Sequence, residues 1–344
     1  MKRIIGSIAL IVSLLFTVEA VAGSPSLLSI TGVVKQSLNL TIDDLNNYQS
    51  IQVQLNEVLR DGGFQGVFKY GGVPLRTLLE LACIEKEETA FLKRVDLAIL
   101  VRNKKGKEVA LSWGEVFYRN PGRIIVAISA VPIMPHKDCK SCHSPEVYKP
   151  WLSQLQRNVG FPKLVVAGDT YADRSLEEIT NIEVLNLWSK MPTKKAPRLF
   201  SPQFTIMGAV RKELTFEDLS SYLHREMLVK QVGEGKGYHG TKKFRGASFS
   251  RVLEDAELEA NLSTVFLVSA PDGYRSLLSY GELFLARDGE RIMIAERVAD
   301  QPILKGGKFI LILPDDLMAD RWVKAVEKVQ VVPLSHVSGG RHRE

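Results

Sequence analysis

Cys139, Cys142 and His143 stand in the order C-x-x-C-H. Two thiols at this spacing can each form a thioether to one haem vinyl group, and the adjacent imidazole is then placed as proximal ligand to the iron. Three other chemistries use parts of the same set. A redox-active dithiol needs the two cysteines but gives His143 no role. A zinc site needs a further ligand, which His136 would supply. A plain structural disulfide needs the cysteines alone. The fixed histidine, the expected export of the chain and the position of the motif within an insertion favour one covalent haem c. For the sixth iron position the candidates are His136 and Met134 close by, and His224, His239 and Met191 farther along. Bis-histidine ligation would hold the potential low, whereas methionine would raise it.

Thioether formation to haem follows export, and the N-terminus fits that order. Met1-Lys2-Arg3 precedes an apolar run over 4–16, and Ala20-Val21-Ala22 supplies a small-x-small cleavage site. Residues 1–22 therefore read as a signal peptide cleaved after Ala22. The apolar run is too short to span a hydrocarbon core comfortably, and no later stretch reaches that length. The mature chain is expected to be periplasmic and soluble, not an integral membrane protein. Its formal net charge of +6 is spread through the sequence, with local basic clusters at 104–107 and 242–245. No basic stretch is interleaved with aromatics as a nucleic-acid module would be, so nucleic acid is not an expected partner. The charge implies no more than a mild attraction to an anionic surface or partner.

The elements that must position the motif emerge when the chain is compared with itself. Val101–Phe117 reads VRNKKGKEVALSWGEVF and Val268–Phe284 reads VSAPDGYRSLLSYGELF, a gapless match at an offset of 167 residues. Thr31-Gly32-Val33-Val34 pairs with Met207-Gly208-Ala209-Val210, and 40–45 pairs with 214–219. Gly72-Val73-Pro74-Leu75 pairs with Gly246-Ala247-Ser248-Phe249, and Ala172-Asp173-Arg174 pairs with Ala319-Asp320-Arg321. The offset drops to 147 at Leu164, so the first copy carries 20 net extra residues between Phe117 and Leu164, and the C-x-x-C-H motif lies among them.

Each copy is predicted to open with a strand, followed by a short helix capped by Thr41 or Thr215, with an acidic residue three positions on. Pro74 lies near the start of a second helix over 75–83, on whose apolar side Cys83 is expected to be buried. Turns are predicted at 103–106 and 271–273, and buried strands within 161–167 and 309–314. Strands and short helices alternate irregularly, which favours an α+β fold of tandem mixed α/β domains. The domains are placed at 23–190 and 203–334, with a linker at 191–202 and a flexible tail at 335–344.

With these motifs in place, each copy resembles the oxidoreductase molybdopterin-binding domain of sulfite-oxidase-like proteins. The residues that carry the resemblance are Thr31-Gly32-Val33-Val34, 40–45, 72–79, the apolar run 164–167, and Arg174 ahead of Ile182-Glu183-Val184; in the second copy Arg321-Trp322-Val323-Lys324 matches the closing motif. The resemblance covers most of the mature chain. It implies a molybdenum held by a cysteine shortly before the Gly-Val-Pro-Leu stretch, but 52–59 in the first copy and 227–233 in the second contain no cysteine. Leucine or valine cannot replace a soft thiolate ligand, so molybdenum chemistry is not expected to survive. Pterin binding through other contacts stays open, with His224, His239 and Arg245 as the residues concerned.

The preferred expectation is a periplasmic c-type haem electron-transfer protein, non-enzymatic, serving a periplasmic or membrane-associated redox partner. One alternative is a molybdopterin-dependent oxidoreductase that passes electrons to the haem. Another is a non-catalytic binding module with a structural disulfide.

Overall fold

The computed structural model describes residues 28–334 apart from 88, 120, 134–143, 145, 148, 151–156, 196–197, 234–236 and 305–306. The signal segment 1–22, the candidates Met134, His136, Cys139, Cys142 and His143, and the tail 335–344 thus lie outside the described residues.

The described chain is a mixed α/β structure. Its first half runs β1 (Leu28–Gly32), β2 (Leu38–Leu40), α1 (Ile42–Asn46), β3 (Ile51–Val58), β4 (Phe64–Pro74), α2 (Leu75–Ala82), β5 (Ala98–Asn103), β6 (Glu108–Ser112), α3 (Trp113–Phe117), β7 (Ile124–Pro132), β8 (Lys163–Val166) and β9 (Ile179–Leu185). Its second half runs β10 (Phe204–Gly208), β11 (Leu214–Phe216), β12 (Arg225–Val232), β13 (Tyr238–Ser248), α4 (Phe249–Glu254), β14 (Thr264–Ser269), β15 (Arg275–Ser279), α5 (Tyr280–Phe284), β16 (Met293–Val298), β17 (Gln301–Pro302), β18 (Ile310–Ile312), β19 (Val323–Lys324) and β20 (Lys328–Pro333).

Two five-stranded sheets share one topology. The first is ordered β2-β1-β9-β5-β6 and the second β11-β10-β20-β14-β15. In each, the opening strand pairs parallel with the last strand of its half, Thr31 beside Glu183 and Met207 beside Gln330, and the other pairings are antiparallel. Each half adds an antiparallel sheet, β3-β4-β7-β8 in the first and β12-β13-β16-β18-β19 in the second, with β17 on β16. Gly72 and Gly246 sit at equivalent bulges, where the neighbouring strand comes so close that a Cβ would stand 2.2 Å from the Val126 carbonyl oxygen or 2.0 Å from that of Ile294. Only glycine fits such an approach.

β5, β14 and β15 do not alternate, because both their faces are buried. One face covers the core of its own half. The other joins Ala98, Leu100, Ala110 and Leu185 to Val265, Leu267 and Leu277, so the two large sheets back onto each other. A strand covered on both sides gains from continuous apolar character. No helix among the described residues is long and apolar enough to cross a membrane.

Two local expectations are corrected. Thr41 caps α1 in a full capping box with Asp44, but Thr215 lies inside β11 and bonds Thr205 across the strands at 3.0 Å. Phe216 extends that strand by stacking on Phe204, and Asp218 turns its carboxylate onto Ser220 instead of serving a helix. Cys83 is exposed, not buried, because α2 ends at Ala82 and Cys83 takes up the left-handed C-cap conformation at φ 55°.

Candidate functional site

Where the halves meet, the best-matched segment of the repeat builds a reciprocal charge network. Ser112 and Glu115 form a capping box on α3, and Ser279 and Glu282 form one on α5. The caps are interlocked: the Ser112 hydroxyl donates to Glu282 at 2.8 Å, and the Ser279 hydroxyl donates to Glu115 at 2.6 Å. Arg174 grips Asp169 through two 2.7 Å bonds and reaches Glu115 at 2.9 Å and Ser279 at 3.2 Å. Arg321 grips Asp316 through two 2.7 Å bonds and reaches Glu282 at 2.6 Å and Ser112 at 3.2 Å. None of these eight side chains is more than 6% exposed.

Each arginine lies over the helix of the opposite half. A Cβ on Gly114 would stand 2.1 Å from Arg321 Cδ, and one on Gly281 would stand 2.1 Å from Arg174 Nε. The two repeated glycines are therefore the space in which the arginines cross.

The network holds four carboxyl groups to two guanidinium groups, and the imbalance is resolved unevenly. Burial, with the charge of Glu282 nearby, drives the Glu115 carboxyl above its ordinary range despite Arg174. Burial acts on Glu282 as well, but Arg321 and Arg119 outweigh it and hold that carboxyl low. Arg119 makes the difference: it approaches Glu282 at 3.9 Å and pairs with Asp288 at 2.9 Å, while the position 167 residues later is Ala286. Asp169 and Asp316 are also raised, chiefly by burial. A cavity of about 240 Å³ opens onto this side, lined by Glu115, Arg119, Arg123, Asp169, Asp288 and Asp315 among others. Its mixed charge selects neither anions nor cations; it gives solvent a route to Glu115.

The insertion is mounted on a second charged cluster, in the first half. It leaves at the end of β7, where the Ile133 amide donates to the Val67 carbonyl at 2.8 Å. On its return, Arg157 donates to the Gln65 carbonyl at 2.8 Å, pairs with Glu57 and with Glu177 at 2.6 Å, and lies 5.4 Å over the Phe68 ring. Beneath it Lys163 pairs with Glu57 and reaches Glu177 at 3.2 Å, and the Tyr70 hydroxyl donates to Glu57 at 2.6 Å. Burial, together with the Glu57 charge, pushes the Tyr70 phenol far above its ordinary range. The strand registers place Gln231, Phe244 and Ile310 at the matching positions of the second half.

Glu177 yields a pH prediction. Burial would raise its carboxyl, but the Gly160 amide, Lys163 and Arg157 prevail and hold it below its ordinary value. A group depressed on folding contributes stability above its unfolded pKa and loses it as the pH falls through the folded one. Urea midpoints should therefore drop on acidification below the ordinary glutamate range, and Glu177→Gln should flatten that drop. An unchanged acid slope in the variant would remove Glu177 from the account.

The remaining sequence candidates are dispersed. His224 lies just before β12 and its Nε2 is 2.9 Å from the Leu219 carbonyl oxygen; His239 lies in β13 with Nε2 2.7 Å from that of Gly233. They occupy opposite ends of the β12–β13 ladder, seven residues along the strand and so roughly 23 Å apart. They cannot serve one iron together, nor does the fold gather them with Arg245 into a single pterin site. Met191 packs half-buried against the cluster between the large sheets, and its carbonyl accepts from Arg275 at 3.3 Å. Among the described residues no group of three or more His, Cys, Asp or Glu side chains could hold a metal ion.

Sequence reasoning paired Arg174 with Arg321 but missed Asp169 and Asp316, although Asp-x-x-x-x-Arg recurs in both copies. It also passed over Lys163, a charged residue inside an apolar run.

No family model matches the chain, and no curated protein matches it. Solved structures do match. One is the sulfane dehydrogenase SoxCD from Paracoccus pantotrophus, at 13% identity over 88% of this chain and 76% of that one, with a TM-score of 0.31. The likeness is distant, and no residue role is transferred from it.

Proposed function

We propose that this chain is an exported electron-transfer protein carrying one covalent haem c on the connection between β7 and β8. The scaffold in this reading is sulfite-oxidase-like and tandem, with copies at 23–190 and 203–334 and no cysteine at the position of the molybdenum ligand. Cys139 and Cys142 would hold the haem by thioethers, and His143 would ligate the iron from the proximal side. Such a group supplies one-electron chemistry at its iron. The periplasm would be its compartment and a periplasmic or membrane-associated redox protein its partner.

The observation that supports this most is the mounting of the insertion. A redox group is useful to a partner when its position is fixed, and sites held on rigid elements are the better defined. The connection that carries the motif is fastened at its start by Ile133 on β4, and at its end by Arg157 through Glu57, Glu177, Gln65 and Phe68. The matching connection of the second half has Gln231, Phe244 and Ile310 where this cluster would be. The charged anchor thus accompanies the motif.

The test is a pyridine haemochrome spectrum with intact mass, on protein exported by cells that have the haem c attachment machinery. A c-type band and the added mass of one haem are expected, both lost in Cys139→Ser/Cys142→Ser. Colourless wild type at apoprotein mass, from cells that mature a control cytochrome, would overturn the proposal.

A further inference from the structure

β12 is the terminal strand of its sheet, with β13 as its one strand partner among the described residues. Its inner face belongs to the core: Val229 is buried, and Met227 packs against the same cluster. Its outer face presents Glu226, Leu228 and Lys230 in alternation, all three exposed. Leu228, at mid-strand, is 74% exposed. Beyond the β13 ladder, residues 226–230 make no backbone–backbone hydrogen bond among the described residues. Such an edge turns a row of unpaired amides and carbonyls outward, ready to pair with another strand.

The matching edge of the first half is furnished differently. β3 ends its sheet in the same way, and its register sets Ile51 against Gly72 as that of β12 sets Arg225 against Gly246. Gln52, Gln54 and Asn56 therefore stand where Glu226, Leu228 and Lys230 stand in the second half. Neutral polar side chains offer a second strand neither apolar contact nor a preferred register. β12 offers both, because its two charges are of opposite sign and equidistant from the exposed leucine.

We infer that β12 pairs antiparallel with β12 of a second copy of this chain, about a two-fold axis at Leu228. In that register Glu226 faces the partner's Lys230, and Lys230 faces the partner's Glu226. Leu228 meets the partner's Leu228, and on the inner face Met227 meets the partner's Val229. Opposed residues of an antiparallel pair have Cβ atoms about 4.5–5.5 Å apart, close enough for both ion pairs and the leucine contact. A two-fold axis requires such a self-complementary surface. Sliding the pairing by two residues sets Leu228 against Glu226 or Lys230 and loses both ion pairs, so the charges select one register. Little has to be given up to form them. Lys230 has no partner among the described residues, and Glu226 has Lys243 at 3.5 Å on the exposed surface. The surface lies in the second half, so the inference is independent of the haem reading.

Sedimentation equilibrium of the purified chain, from micromolar to near-millimolar concentration, tests this. Wild type should show a monomer–dimer equilibrium. Glu226→Lys and Lys230→Glu each set like charges opposite one another at both ends of the pairing, and each should weaken association about tenfold or more. The exchange Glu226→Lys/Lys230→Glu restores opposite charges and should recover the wild-type association. An equimolar mixture of the two single variants should form heterodimers more tightly than either forms homodimers, because two lysines then face two glutamates. The exchanged side chains are exposed, so all variants should keep the wild-type circular dichroism. A wild type that stays monomeric over the whole range would overturn the inference. Single variants that associate as wild type does would overturn it too, as would a double exchange as weak as the single ones.

Discussion

Arg321→Met should lower the stability of the fold by about 3–5 kcal/mol, the usual cost of leaving buried charge without its partner. Asp316 would lose both of its 2.7 Å bonds, and Glu282 would lose its 2.6 Å contact. Methionine fills much of the space but donates nothing, so two buried carboxyl groups must be desolvated almost alone. Arg119, 3.9 Å from Glu282, compensates in small part. Arg174→Met should cost a similar amount through Asp169 and Glu115. The losses should not add in the double variant, because Ser112 and Ser279 link the two sets. The pH dependence has a definite sign. Without its arginine, Glu282 would lose what holds it low, and Asp316, Asp169 and Glu115, already raised by burial, would rise further, so the variants hold protons in the folded state to higher pH. Their deficit should be smallest in acid and widen as the pH rises through the carboxylate range. Urea denaturation at pH 5 and pH 8 would measure both effects. A loss under about 1 kcal/mol, equal at the two pH values, would mean that the guanidinium does not balance these carboxyl groups.

That network also shows what the sequence could and could not reveal. The Ser-x-Gly-Glu-x-Phe core of the repeat was visible because its serine, glycine and glutamate each have a partner across the halves. The partners themselves were not visible. Arg174 meets Gly281 and Ser279 only after the two large sheets pack back to back, and periodicity within one element carries no such information. Buried strands could be read within 161–167 and 309–314, where β8 and β18 lie with every residue buried. The Thr215 cap failed because the motif names a helix start without guaranteeing the helix: the same threonine suits a strand, and stacking of Phe216 on Phe204 decides for the strand. Cys83 was misplaced by one residue of helix length, enough to turn an inward position into an exposed C-cap. The C-x-x-C-H motif was legible as chemistry, while its mounting through Glu57 and Lys163 was not, because the two stand 106 residues apart.

Lys163→Ile and the triple exchange Glu57→Gln/Tyr70→Phe/Lys163→Ile should behave in opposite ways. The single change removes the ammonium from a buried glutamate and should cost about 3–5 kcal/mol, eased in part by Arg157 and the Tyr70 hydroxyl. The triple change installs the residues found at the matching positions of the second half, where Phe244 packs in the core. Replacing a buried charge set with packed residues of similar volume is often neutral or stabilising by about 1–4 kcal/mol, so the triple variant should recover most of the loss. Its effect should instead be local. Arg157 would retain Glu177, the Gln65 carbonyl and the Phe68 ring but lose its buried anchor, since glutamine cannot hold its charge. Limited proteolysis should then cut the connection between β7 and β8 several-fold faster than in wild type, while the urea midpoint stays close to the wild-type value. A triple variant as unstable as Lys163→Ile would show that the cluster sustains the sheet. A triple variant with wild-type stability and unchanged cleavage would show that Glu57 does not fasten the insertion.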